Sequence, residues 1–528
     1  MRAASTSTAL KAIRWTLRRK LAVAAGSAVG IASVVGVARS AECIDDLKHI
    51  GAIRFGRAAG HVSCIIADYK IFFKRFKNET SEEFMSSLKA VHLRSAHRLL
   101  DLACSNGGLF IKVGQHIATL EYLVPLEYTR TLSVLLSQAP KSSFEDVKFV
   151  VERELGGNLE DHFTDFTEAP IGAASLAQVH IAKRRDTGEL VACKVQHKRL
   201  QKNARTDIVT MEFLVNVAHF LLPEFKLKWL VKEVKKNLPI EMDFLNEGKN
   251  ADAARERYAR LKFLKIPKIH YDLSTKQMLT MEFCEGHQIN DREWLDKMKI
   301  DKHEVCRRLG RLVCQMIFLD GRVHCDPHPG NILINRLPNG NTEIVLLDHG
   351  LYLDVNDRFR RIYSDLWMAL LNADTMEIKR VAEELGVGEM YGLLACMVTQ
   401  RSWKSVTQGI RKSKKDEQER QELRAYAITL IPQISEVLAR VPREMLLIFK
   451  TNDLLRGIEY ILGTANRADS LIEVSKFVVR SHYDLTFKEA QSYFQKFINR
   501  FRFFIDISRI YFYEYYLFFS DKVPCLKA

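Results

Sequence analysis

The spacing of apolar residues changes several times along this chain, and the changes mark out its elements. Between about Glu42 and Gln138 the pattern is helical and mixed, broken by charged stretches such as Lys74-Arg-Phe-Lys-Asn-Glu79 that read as solvated helix faces. Within it, the turn Asn106-Gly-Gly108 opens an apolar helix carrying Phe110-Ile-Lys112-Val-Gly114-Gln115 toward Leu123. From 150 to 290 the pattern is that of a small sheet with helices. Ala169 to Lys183 and Glu189 to Gln196 are alternating or β-branched, with Asp186-Thr-Gly188 as a hairpin turn, and Lys265 to Asp272 and Met278 to Cys284 add two strands. A helix is expected to begin in Asn237-Leu-Pro-Ile-Glu241-Met-Asp243-Phe-Leu-Asn-Glu247. His303 to Leu319 returns to 3.6-residue spacing. Ile332-Leu-Ile334 and Ile344-Val-Leu-Leu-Asp348 then flank the turn Pro338-Asn-Gly-Asn341, which predicts a hairpin whose far strand delivers a carboxylate.

Past Asp348 the pattern is helical to the end. Glu417 to Arg424 reads as an exposed helix face, and Glu444 to Lys450 and Asp453 to Leu462 as packed helices. Phe497 to Phe519 is very aromatic with Arg500, Arg502 and Arg509 interspersed, which fits either a membrane surface or a core-packing helix.

Composition narrows the class. A chain of 528 residues with 47% hydrophobic and 27% charged residues is globular and long enough for two or more domain-sized units. The formal charge is +15, but seven basic residues (Arg2, Lys11, Arg14, Arg18, Arg19, Lys20, Arg39) stand in the first forty, which hold no acid. No zinc-finger spacing, RNP-like string or basic block with interleaved aromatics points to nucleic acid, so an anionic membrane surface is the expected partner. Residues 1 to 20 have the make-up of a mitochondrial presequence. Leu21 to Val37 is an uncharged small and apolar run at the short end for a bilayer span, and Gly26 and Gly30 in it would let two copies approach. Together these predict a single-pass protein of the mitochondrial inner membrane. The ten cysteines are scattered without a C-x-x-C pair, which indicates neither a zinc site nor a disulfide framework.

The candidate chemistry centres on His324-Cys-Asp-Pro-His-Pro-Gly-Asn331. Asp326 and Asn331 have the spacing of a kinase catalytic loop, in which the Asp takes the substrate hydroxyl proton and the Asn holds magnesium. Asp348, before His349-Gly350, stands where a second magnesium ligand belongs. Upstream, Gly172-Ala173-Ala174-Ser175 is a loop of small residues whose backbone N–H groups can approach phosphate oxygens. Val191-Ala-Cys-Lys194 matches the strand lysine that contacts the α- and β-phosphates. Either Glu241 or Glu247 is placed to pair with Lys194. Glu282-Phe-Cys284-Glu-Gly286 resembles a hinge that offers backbone groups to an adenine ring. ATP and magnesium are the expected cofactors.

Taken in order, K-x-G-Q, the Ala-containing loop, V-A-C-K, E-x-D, H-C-D-P-H-P-G-N and L-D-H-G resemble the UbiB, or AarF-domain-containing, family of atypical kinases, over roughly residues 80 to 460. The resemblance implies an α+β, protein-kinase-like, two-lobed fold, with a small antiparallel sheet in the N-lobe (150–290) and a mostly helical C-lobe (291–480). A helical extension (42–149) packs over the active site, and an aromatic tail (481–528) follows. It implies Lys194 paired with Glu247, Lys112 and Gln115 reaching into the site, and Glu241 and Asp243 holding the extension. Departures from ordinary protein kinases are alanines in place of loop glycines, His349 in place of Phe, and no A-P-E segment after Gly350. The expected activity is ATP hydrolysis or phosphoryl transfer in mitochondrial inner-membrane organisation and lipid or quinone homeostasis, with an acceptor that the sequence does not name. A protein serine/threonine kinase and a nucleotide-gated scaffold without turnover are the alternatives.

Overall fold

The computed structural model describes residues 51–76, 82–118, 124–136, 141–222, 228–408, 430–464 and 469–522. The chain divides into two compact units, Met1–Glu189 with Cys193–Met242, and Leu190–Ala192 with Asp243–Ala528.

In the first unit the helical region predicted before residue 138 is present as α1 (Gly51–Arg75), α2 (Glu82–Asn106), α3 (Leu109–Ala118) and α4 (Leu126–Leu132). Gly107 and Gly108 both take positive φ, +67° and +51°, a conformation that costs glycine nothing, and so α3 can start immediately after α2. Leu109, Leu132, Leu135, Ala58 and Ala96 form a shared core in which all are buried. Gly114 makes the packing close: a Cβ there would meet Leu135 Cδ1 at 2.5 Å.

The sheet of this unit has β1 (Phe163–Thr164), β2 (Gly172–Ala173), β3 (Ala177–Arg184) and β4 (Leu190–Gln196). Both β1 and β2 pair antiparallel with β3, and β4 follows as its neighbour. The expected first strand is therefore interrupted. Ala174 N–H donates to Ala177 O at 2.8 Å, folding the small-residue loop into a hairpin between β2 and β3. Helices α5 (Leu200–Leu221) and α6 (Lys228–Glu241) complete the unit. Asp207 of α5 takes a buried bidentate ion pair from Arg54 of α1, with Nε at 2.9 Å.

Where one helix was expected from Asn237 onward, the chain breaks. α6 ends at Glu241 with Pro239 in its last turn, and α7 (Phe244–Arg257) starts afresh, its first turn capped by the Asp243 carboxylate accepting from Leu245 N–H at 3.2 Å. An Asp with an extended backbone is a strong helix start, and this one wins over continuity.

The second unit holds β5 (Leu264–Lys265), β6 (Met278–Glu282), β7 (His287–Gln288), α8 (Lys302–Cys314), β8 (Arg322–His324), β9 (Ile332–Arg336), β10 (Thr342–Leu346) and β11 (Tyr352–Asp354). Their order is β5-β10-β9-β7 in one sheet, with β8 and β11 as a separate antiparallel pair. The strand expected from 265 to 272 shrinks to β5 and one bridge, Ile269 to Met281, since Pro267 has no N–H to offer a ladder. α8 continues into wider turns over Gln315–Asp320 and is stopped by Gly321 at φ +65°, where a Cβ would meet Val355 O at 2.7 Å.

Four long helices follow: α9 (Asp357–Asn372), α10 (Arg443–Leu462), α11 (Asp469–Glu489) and α12 (Tyr493–Lys522). The two segments predicted at 444–450 and 453–462 are one helix, α10. Val313, Leu366, Leu370, Met445, Ile448 and Val478 are all buried in the core that α8 to α11 share.

The single-pass inner-membrane placement is corrected by this structure. Among the described residues no helix is long and apolar enough to cross a membrane. Even the aromatic α12 carries Lys496, Arg500, Arg502, Asp506, Arg509 and Glu514 along its length. The stretches 1–20 and 21–37, with Gly26 and Gly30, and the charge run 417–424 lie outside the described residues.

Candidate active site

The predicted loop and hairpin are present, and local chemistry explains their shape. Strand β8 ends at His324, and the next residues fold back on themselves: His328 N–H donates to Asp326 O at 2.7 Å, Gly330 N–H to His328 Nδ1 at 3.1 Å, and Asn331 N–H to His328 O at 2.8 Å. Pro327 and Pro329 fix φ on either side of His328 and cannot compete as donors. Beyond β10, Leu347 N–H donates to Asn331 O at 3.0 Å, so the far end of the hairpin returns to the loop immediately before Asp348.

His324 ties the two motifs together. Its Nδ1 accepts from the backbone N–H of Asp326 at 3.1 Å, and its Nε2 lies 2.6 Å from the carbonyl oxygen of Asp348. A backbone N–H only donates and a carbonyl only accepts, so the ring is neutral with its proton on Nε2. Burial pushes its pKa down, in agreement with that state. His349, buried as well, donates from Nε2 to Leu346 O at 3.1 Å, and its Nδ1 lies 2.9 Å from the Tyr352 hydroxyl. Asn250 of α7 donates to His349 O at 3.0 Å and accepts from Arg322 at 2.7 Å.

Gly350 leaves room where carboxylates converge. Its N–H donates to Asp348 Oδ1 at 2.9 Å. A Cβ on Gly350 would stand 3.2 Å from Asp348 Oδ1 and 3.9 Å from Glu247 Oε2. Glu247, on α7, is 2% exposed. Hard carboxylate oxygens of Asp348 and Glu247 both within 4 Å of a Cβ placed on Gly350 are of the type a small divalent cation takes.

One participant escaped the sequence reading. Lys450 of α10 places its ammonium 3.3 Å from Asp326 Oδ1. α10 is seated on the loop itself: Leu447 packs with Cys325 and Leu351, and the Thr451 hydroxyl lies 3.4 Å from His324 O. In the sequence this lysine only ends the Glu444 to Lys450 run, read as a packed helix, which does not show what it touches.

The remaining candidates fall as follows. Glu282 is paired with Lys265 at 2.6 Å, and the N–H groups of Glu282 and Phe283 donate to Lys268 O and Leu190 O. Burial pushes the neighbouring Cys284 thiol up to about 11, which keeps it protonated at neutral pH. In the first unit, Gly172 and Ala173 form β2, Ala174 is exposed in the hairpin and Ser175 is buried. The hairpin is held from behind: Ala174 O accepts from His197 Nε2 at 3.0 Å, and His197 Nδ1 therefore accepts from the Ser142 hydroxyl at 2.7 Å. Lys194 is half-buried on β4 between fully buried Cys193 and Val195. Lys112 is paired with Glu241 at 2.6 Å, both largely buried, and Gln115 donates to Leu135 O at 2.8 Å. The structure thus ties the Asp326 and Asp348 segments together through His324, ties Asn331 to the strand end before Asp348 through Leu347 N–H, and commits Glu241 to Lys112.

Comparison with known proteins identifies the family. The ABC1 atypical kinase-like domain matches residues 134–382. The AarF domain-containing protein kinase 1 of Xenopus tropicalis is 49% identical over 437 residues, covering 83% of each chain. The mouse protein of the same name is 46% identical over 480 residues and 91% of each chain. The Drosophila melanogaster AarF domain-containing kinase 1 is 46% identical over 441 residues, 83% of this chain and 85% of its own. The fold is α+β and kinase-like, and the chain belongs to the ABC1/AarF family of atypical kinases.

Proposed function

We propose that this protein binds Mg-ATP and moves its terminal phosphoryl group to water or to a small-molecule or lipid hydroxyl. The observation that supports this most is the pair of hydrogen bonds by which His324 holds the Asp326 and Asp348 segments on one rigid ring. Asp326 takes the proton of the attacking hydroxyl as the new P–O bond forms and the bond to the leaving diphosphate oxygen breaks. Lys450 holds the Asp326 carboxylate in position. Asp348 and Asn331, with Glu247 close by, would hold magnesium, which neutralises charge on the phosphates. The lack of an A-P-E segment after Gly350 favours a non-peptide acceptor over a protein substrate.

The test is ATP turnover by the purified chain beside Asp326→Asn, with Mg-ATP affinity measured on both. The expected result is a loss of about 10²- to 10⁴-fold in turnover with affinity nearly unchanged. Equal turnover removes Asp326 from the role of base. Mg-ATP binding without turnover in the native chain, under all acceptors tried, replaces the enzyme by a nucleotide-gated scaffold.

A further inference from the structure

The second unit carries a surface that the proposed chemistry does not use. One side of α12 packs on α11, where Ile507 and Ile510 are buried with Ile472, Val479 and Tyr483. The opposite side presents Phe494, Phe497, Phe501, Phe504, Phe512 and Tyr515, each 60% to 76% exposed. Phe494, Phe497, Phe501 and Phe504 follow at three- and four-residue steps, and Phe512 and Tyr515 resume eight residues on, so the six lie along one side of the helix over about 32 Å at 1.5 Å per residue. Monomeric proteins rarely leave so continuous an aromatic stripe in water.

Charge decides what covers it. From Tyr493 to Ile505 the helix has no acid, while Lys496, Arg500 and Arg502, with Arg509 beyond, are exposed along the stripe. The two acids between Tyr493 and Tyr515 are engaged by α11: Tyr483 donates to Asp506 at 2.9 Å and Lys476 to Glu514 at 2.7 Å. Arg509 also reaches Asp506 at 3.5 Å, so the net charge along the outward face is set by Lys496, Arg500 and Arg502. A second copy would set one basic rim against another, whereas aromatic rings flanked by Lys and Arg suit an acyl boundary beneath anionic headgroups.

We propose that α12 is an interfacial helix that lays this stripe on the surface of an anionic lipid bilayer. Its charges forbid spanning, and its aromatic rings enter only the headgroup boundary. The surface stands apart from the phosphoryl-transfer reading and is tested without it.

The experiment is co-sedimentation of the full chain with vesicles of phosphatidylcholine alone and of phosphatidylcholine mixed with phosphatidylserine. The variants are Phe497→Ser/Phe501→Ser/Phe504→Ser and Arg500→Glu/Arg502→Glu/Arg509→Glu, each checked for an unchanged melting temperature, since the altered side chains are exposed. The aromatic variant is expected to lose at least about tenfold in vesicle partitioning. The charge-reversed variant is expected to lose the preference for phosphatidylserine, as is the native chain in high salt. Native-like binding by the aromatic variant, which would place the contact elsewhere, overturns the proposal. So does equal binding to both vesicle types, or a dimer in solution that the aromatic substitutions dissociate while vesicle binding is absent.

Discussion

The ammonium of Lys450 stands 3.3 Å from the Oδ1 of Asp326, although the two residues belong to a late helix and an early loop. Both are largely withdrawn from solvent, at 12% and 31% exposed. An ion pair on an open surface contributes little, but in the proposed mechanism this one fixes the carboxylate that meets the incoming hydroxyl. Lys450→Met is expected to lower kcat by about 10- to 100-fold with Mg-ATP affinity within about twofold, because a small misplacement of a reacting group has that effect. Lys450→Arg should recover most of the loss. Steady-state kinetics beside nucleotide titration checks this. A matched fall in affinity and kcat, or no rescue by Arg, contradicts a positioning role.

At Gly350 the prediction concerns magnesium. A methyl group there would press on Asp348 Oδ1 at 3.2 Å and come within 3.9 Å of Glu247 Oε2. Gly350→Ala is expected to weaken magnesium-dependent ATP binding by about 10- to 100-fold, the usual range for disturbing groups that orient a metal ligand. ATP binding measured without magnesium should barely change. Equal loss in both conditions would mean that the substitution disturbs the nucleotide and not the cation.

Lys112 and Glu241 form a largely buried pair at 2.6 Å, with side chains 16% and 8% exposed. Removing one partner strands the other, so Lys112→Met should cost about 2–4 kcal/mol, discounted from the fully buried case. Lys112→Met/Glu241→Leu should regain most of that, since the stranded carboxylate is gone. Urea unfolding of the three variants and the native chain measures the coupling, and additive losses would show that the pair contributes no interaction.

Acid should weaken the fold through its histidines. His92, His180, His197 and His324 all have pKa values lowered by burial. Unfolded, each titrates near about 6.5, so below that value the unfolded chain binds more protons than the folded one. The stability they support is full above about pH 6.5 and declines as pH falls toward the lowered folded values. Melting temperature should therefore drop from about pH 7 to about pH 5, and a level profile would contradict the lowering of these four values by burial.

How much of this was legible depended on distance along the chain. The loop and hairpin from His324 to Asp348 were readable because turn residues and β-branched runs act locally, and the α+β kinase-like class came from the family resemblance that the order of motifs carries. The break between Glu241 and Phe244 was misread because a helix-friendly run outweighed, on paper, Pro239 and the capping Asp243. Pairings were the least legible: nothing near Lys112 names Glu241, and nothing near Asp326 names Lys450. The apolar run at Leu21 to Val37 drew a spanning helix that no described residue provides, whereas the exposure of the Phe497 to Phe504 stripe needed the packing of α11 to become visible.

The seat of α10 on the catalytic loop joins residues 127 positions apart, His324 and Thr451. A ribosome adding roughly 5–20 residues per second needs on the order of ten seconds to cover that interval. For that time Asp326 has emerged without its lysine, and the loop without the helix that seats it. The domain match ends at 382 and α10 begins at Arg443, so a fragment cut at the matched boundary would hold Asp326, Asn331 and Asp348 and still lack Lys450. The loop that carries Asp326 is therefore completed late in synthesis, by a helix in the C-terminal third.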